Sequence, residues 1–98
     1  MFVNIISTCR DVVAICDSEL IGKTFEQGNV QLEVKESFFR GKEVSKEELI
    51  EILHDMSMED ATFNIVGKES IDIALEEGLI HREGVKTIQG IPYALVLC

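Results

Sequence analysis

Three stretches of this chain carry side chains whose types and spacing could do chemistry. The first is Lys35-Glu36-Ser37-Phe38-Phe39-Arg40-Gly41-Lys42-Glu43-Val44-Ser45-Lys46. Four of the nine lysines and arginines fall here against two acids, so the segment is +2 while the remainder is −11. Rings interleaved with cations are what a single-stranded RNA platform needs: aromatics stack on bases and cations hold phosphates. Phe38, Phe39, Arg40 and Lys42 are therefore candidate contacts for RNA or a protein surface. Against this, adjacent phenylalanines usually place at least one ring in a core, and loop lysines are usually just solvated.

The second stretch is Asn64-Ile65-Val66-Gly67-Lys68, read as the start of a helix. Free amides and the helix dipole suit an anion there, Gly67 would allow close approach, and Lys68 adds charge. The run is too short for a Walker loop, and N-capping alone accounts for Asn64. Lys23, after Gly22, is a third candidate for a phosphate or carboxylate, although most such lysines point into water.

The other reactive side chains are scattered. His54 sits on the flank of an expected helix, with Glu51 its one evident neighbour as a ligand, and His81 lies beside Arg82 and Glu83. A zinc site would have to gather these with the cysteines from afar, so no metal ligands are assigned. Cys9, Cys16 and Cys98 lack zinc-knuckle spacing, and in a chain without a secretory signal they read as reduced thiols. The adjacent acids Glu47-Glu48, Glu59-Asp60 and Glu76-Glu77 read as solvated surface, and no nucleophile-elbow or Cys–His signature appears. No catalytic residue and no cofactor is expected.

The elements that would position these groups follow from patterning. Ninety-eight residues, 46% hydrophobic and 28% charged, suit a single α+β domain over residues 1–98. FVNIIST (2–8) and DVVAICD (11–17) read as two strands of a hairpin. If Thr8 faces Asp11, then Val3, Ile5, Val12, Ala14 and Cys16 share one face, and Phe2, Ile6, Val13 and Ile15 the other. Gln27-Gly28-Asn29 marks a turn, and Val30–Val34 alternates as a half-buried strand. Ser45 with Glu48 has the spacing of a capping box, and Leu49, Ile52, Leu53 and Met56 then form the apolar stripe of a helix over 46–57. A second helix is expected over 65–77, capped by Asn64 and ended by Gly78. The rival reading makes 62–66 a strand and starts the helix at Lys68. Residues 85–88 and 93–97 form a hairpin about Gln89-Gly90, with Pro92 near a strand start or an edge. The expected fold is thus a small, mostly antiparallel sheet of five or six short strands with two packed helices.

The series Asp17…Glu19-Leu20-Ile21-Gly22-Lys23-Thr24-Phe25, Phe38-Phe39-Arg40-Gly41, Asn64-Ile65-Val66-Gly67, Glu77-Gly78-Leu79-Ile80 and Ile88-Gln89-Gly90-Ile91-Pro92-Tyr93-Ala94 resembles domain-of-unknown-function family 424, a small archaeal family. The resemblance covers nearly the whole chain. It implies a compact cytoplasmic α+β domain, an association with translation genes, and no established activity, cofactor or substrate. Relatives often have histidine after the proline where this chain has Tyr93, which argues against a catalytic or metal role at that position.

A net charge of −9 opposes duplex DNA, and the apolar runs are too short to span a membrane. The functional expectation is a non-enzymatic binding or adaptor module with a protein or ribonucleoprotein partner. The alternative is a small enzyme or anion-ligand-binding domain using the helix start at 64–68.

Overall fold

A computed structural model describes residues 1–7 and 9–97. The chain runs β1 (Phe2–Ile6), β2 (Val12–Cys16), a 3-10 turn (Ser18–Leu20), β3 (Thr24–Gln27), β4 (Val30–Glu33) and α1 (Glu36–Phe39). It continues with β5 (Lys42–Glu43), α2 (Lys46–Ser57), β6 (Thr62–Val66), α3 (Lys68–Glu76), a second 3-10 turn (Arg82–Gly84), β7 (Lys86–Ile88) and β8 (Ile91–Val96). Six strands form one sheet in the order β5-β1-β2-β6-β8-β7, and β3 with β4 makes a separate hairpin. Among the described residues only β2 and β6 pair in parallel. The class is α+β with a mostly antiparallel sheet, as patterning indicated, with β3, β5 and the short α1 added.

The register of β1 and β2 corrects the expected pairing. Phe2 lies opposite Cys16, Val3 opposite Ile15 and Ile5 opposite Val13; Thr8, on which the expectation hung, is outside the described residues. Val3, Ile5, Val13 and Ile15 therefore share one face, and Phe2, Asn4, Ile6, Val12, Ala14 and Cys16 the other. A one-residue slip exchanges every side chain between faces. The observed choice sends the branched Val13 and Ile15 toward the helices, and leaves the small Ala14 and Cys16 where α1 and the β3–β4 hairpin close down.

On the first face, Val13, Ile15, Phe63 and Ile65 pack against Leu49 and Leu53 of α2 and Ile71 of α3, all 2% exposed or less. α2 forms over the expected residues because its start is locally encoded. Ser45 Oγ accepts a hydrogen bond from Glu48 N at 3.2 Å, and Glu48 Oε1 accepts one from Ser45 N at 3.4 Å. On the second face, Ala14, Cys16 and Val66 meet Leu20, Val34 and Phe39. The two-residue loop Gln89-Gly90 takes positive φ at both positions (51° and 79°), as a tight hairpin of this twist requires. It also anchors the β3–β4 hairpin, because Gln89 N donates to Gln27 Oε1 at 2.7 Å.

α3 begins later than the favoured reading, and Asn64 is not its cap. Residues 62–66 form the strand of the rival reading, since Phe63, Ile65 and Val66 are needed in the sheet's two cores. Gly67 takes the N-cap position with φ 113°, and Gly78 has the left-handed φ (75°) that ends the helix.

Candidate functional site

Asp17, the last residue of the expected strand 11–17, lies just past the end of β2 and holds the start of α3. Its backbone N donates to Val66 O at 3.0 Å, which places the residue immediately beyond the β2–β6 pair. Its carboxylate accepts from Glu69 N at 3.0 Å, Ser70 N at 2.8 Å and Ser70 Oγ at 2.7 Å. Asp17 is 4% exposed. A β-carbon on Gly67 would collide with this carboxylate, so glycine is required both by its φ and by space. The two free amides that could have attracted an external anion are thus occupied by a side chain of the same protein. The role was hidden in the sequence because cap and helix lie more than fifty residues apart.

The remaining anion candidates fall on different surfaces. Asn64 is a mid-strand residue of β6, on the second face between Ala14 and Leu95. Lys68 is the exposed first residue of α3 and borders a hollow between α3 and the β7–β8 hairpin. Lys23 is exposed at the entry to the β3–β4 hairpin and lines neither of the hollows that Asn64 and Lys68 border.

The segment 35–46 does not form an open platform. α1 turns Phe39 into the second core (5% exposed) and leaves Phe38 half-buried, the two rings meeting edge to face at 5.1 Å. Arg40 Nε pairs with Glu36 Oε1 at 2.7 Å while its guanidinium lies 5.1 Å from the centre of the Phe2 ring. Lys42 Nζ pairs with Glu48 Oε2 at 3.2 Å. Asn4 Nδ2 ties α1 to the sheet by donating to Phe38 O at 2.9 Å. The local positive charge is largely matched within the fold.

A hollow of about 330 Å3 lies beside this segment, where Leu32, Phe38, Asn64, Tyr93 and Leu95 meet. Beyond it the second face is uncovered among the described residues. Leu95 is 59% and Leu97 73% exposed, next to the half-buried Thr62 and Asn64. β7 pairs only with Ile91, Pro92 and Tyr93 of β8. The outer edge of β8 from Ala94 onward therefore has no strand partner among the described residues. Along it opens a second hollow of about 440 Å3, walled by Leu79, Ile80, His81 and Glu83.

With this geometry in place, comparison with known proteins identifies the chain. A family model described as "Protein of unknown function (DUF424)" matches residues 6–98. The chain belongs to the DUF424 family. No curated protein matches it. A crystal structure of an uncharacterized conserved protein from Methanopyrus kandleri is similar, with a TM-score of 0.78 and 22% identity, covering 97% of this chain and 88% of that one. At that identity the likeness establishes a shared fold.

Reactive groups in this DUF424 chain are few and quiet. The buried Cys16 thiol is pushed up to about 11, first by burial and then by the Asp17 charge beside it, which leaves little thiolate at neutral pH. Cys9 is exposed and free. His54 Nε2 meets Glu77 Oε1 at 2.7 Å across α2 and the end of α3. Among the described residues no three His, Cys, Asp or Glu side chains are grouped to hold a metal, and no helix is long and apolar enough to cross a membrane.

Proposed function

We propose that this DUF424 protein is a non-enzymatic binding module that takes an extended, basic segment of a partner protein along the outer edge of β8. The observation that carries the reading is the unpaired edge at 94–97, flanked by the exposed Leu95 and Leu97. An open edge with apolar side chains beside it is a template for strand addition, in which backbone bonds supply affinity and alternating side chains supply specificity. Charge sets the chemistry of the partner. The hollow along this edge contains Glu83 and no lysine or arginine, on a chain of net charge −9. A segment alternating apolar and basic residues complements both features. Basic arms of this kind are common on proteins that bind nucleic acid, which makes a protein component of a ribonucleoprotein the favoured partner. Direct RNA stacking on residues 38–42 is less favoured, because Phe39 is in the core and Arg40 and Lys42 are already paired.

An amide NMR titration with a synthetic peptide alternating lysine and valine tests this. The expected result is perturbation centred on residues 79–84 and 94–97, with affinity lowered about tenfold or more by Leu95→Glu with Leu97→Glu. An equally tight acidic peptide, or perturbation elsewhere on the sheet, would overturn the reading. Single-stranded RNA binding that Arg40→Gln with Lys42→Gln abolishes would restore the rival surface.

A further inference from the structure

Four hollows of the described surface carry an acidic side chain and no lysine or arginine, and a fifth carries both signs of charge. The fifth, about 490 Å3, lies between α3 and the β7–β8 hairpin and is bordered by both Lys68 and Arg82. Its volume is in the range of small-molecule sites, roughly 300–1,000 Å3. Acids outnumber cations two to one in this chain, and Arg10, Arg40, Lys42 and Lys46 all sit in ion pairs. Among the described residues Lys23, Lys35, Lys68, Arg82 and Lys86 make no ion pair, and of these Lys68 and Arg82 border one hollow. Asp72 stands one helical turn after Lys68, the spacing at which opposite charges commonly pair, yet the two do not. The hollow thus presents two cations without ion pairs and one carboxylate, beside an apolar floor of the half-buried Leu75 and Pro92.

We propose that this hollow binds a small phosphorylated ligand of the nucleoside monophosphate class. The phosphate lies between Lys68 and Arg82, where a dianion satisfies both charges at once. Asp72 repels a second anionic group but accepts from sugar hydroxyls, so the ligand is charged at one end only. The flat base covers Leu75 and Pro92. This site is independent of the β8 edge, and it is not the amide cluster at the start of α3, which Asp17 fills.

The test is an amide NMR titration of the whole chain with AMP, beside inorganic phosphate and adenosine. Expected are AMP shifts confined to residues 68–75 and 82–92, and affinity about tenfold or more above that of either fragment. Lys68→Gln with Arg82→Gln should abolish the AMP response, and Asp72→Ala, which removes the acceptor, should narrow the preference for AMP over phosphate. All three side chains are exposed, and an unchanged spectrum of each free variant establishes that it folds. No response at millimolar AMP, a response outside the hollow, or one that survives the double substitution overturns the proposal. Equal affinity for phosphate and AMP overturns the role of the apolar floor and with it the nucleotide assignment.

Discussion

The two faces of the central sheet differ in how completely they are covered. The first is roofed by α2 and α3, and its central residues Val13, Phe63 and Ile65 are fully buried. The second is closed only at one end, by α1 and the β3–β4 hairpin over Ala14, Cys16 and Val66, while Leu95 and Leu97 stand open at the other. The same strands supply both faces, so the contrast comes from what the connections deliver. Two amphipathic helices of twelve and nine residues seal one side. A hairpin and a single helical turn are too small to seal the other. Stability is therefore concentrated on the first face, and the surface free to bind is concentrated on the second and along its edge.

Substitutions can break that contrast, beginning where the effect is greatest. Phe63→Ala removes the largest fully buried side chain from the first face and should cost about 3–5 kcal/mol in urea unfolding. A loss no larger than that of a surface substitution would mean that the helices do not carry the core. Asp17→Ala leaves two amides and the Ser70 hydroxyl without their acceptor and should cost about 1–3 kcal/mol. Asp17→Asn should lie between, because one amide oxygen can still accept. Ser45→Ala deletes the local cap of α2 and should cost about 1 kcal/mol.

The capping box also titrates. The Glu48 carboxyl is held below its ordinary value of 4.5, first by the Ser45 amide and then by Lys42. A depressed carboxyl stabilises the fold fully above its unfolded value and loses that contribution as acid protonates the folded form. The stability advantage of the wild type over Glu48→Gln should accordingly be constant near neutrality and shrink as pH falls below that value. The smallest effect belongs to the open side. Leu95→Glu should change stability by less than about 0.5 kcal/mol, and a large loss would show that a cover is missing from the account of the second face.

What was legible in the sequence was whatever a few neighbouring residues encode. α2 follows from Ser45, Glu48 and a stripe at helical spacing, and the Gln89-Gly90 hairpin from its turn. The β1–β2 register was not legible, because both faces of those strands are apolar and the pattern tolerates a slip by one. The start of α3 was ambiguous for a related reason. Asn64 is a good cap by local rules, but the cap that operates, Asp17, is brought there by the sheet. The candidate surfaces divide in the same way. Phe38, Phe39, Arg40 and Lys42 are adjacent in sequence, yet α1 turns one ring inward and Glu36 and Glu48 take the charges. Lys68 and Arg82, and the exposed edge of β8, are set beside their neighbours by tertiary structure alone.

The Asp17 carboxylate has a further consequence, for the order in which the protein assembles. A helix of nine residues is marginal in water without outside help, and α3 receives its cap from the end of β2 only after β2 and β6 have aligned. Closing that contact spans a loop of some fifty residues, an entropic step that precedes any return from the cap. α3 is thereby made conditional on the parallel pair: it forms with the sheet and not ahead of it. In native-state hydrogen exchange the amides of Glu69 and Ser70 should open together with the central strands, while α2, with its cap beside it in sequence, is free to open on its own.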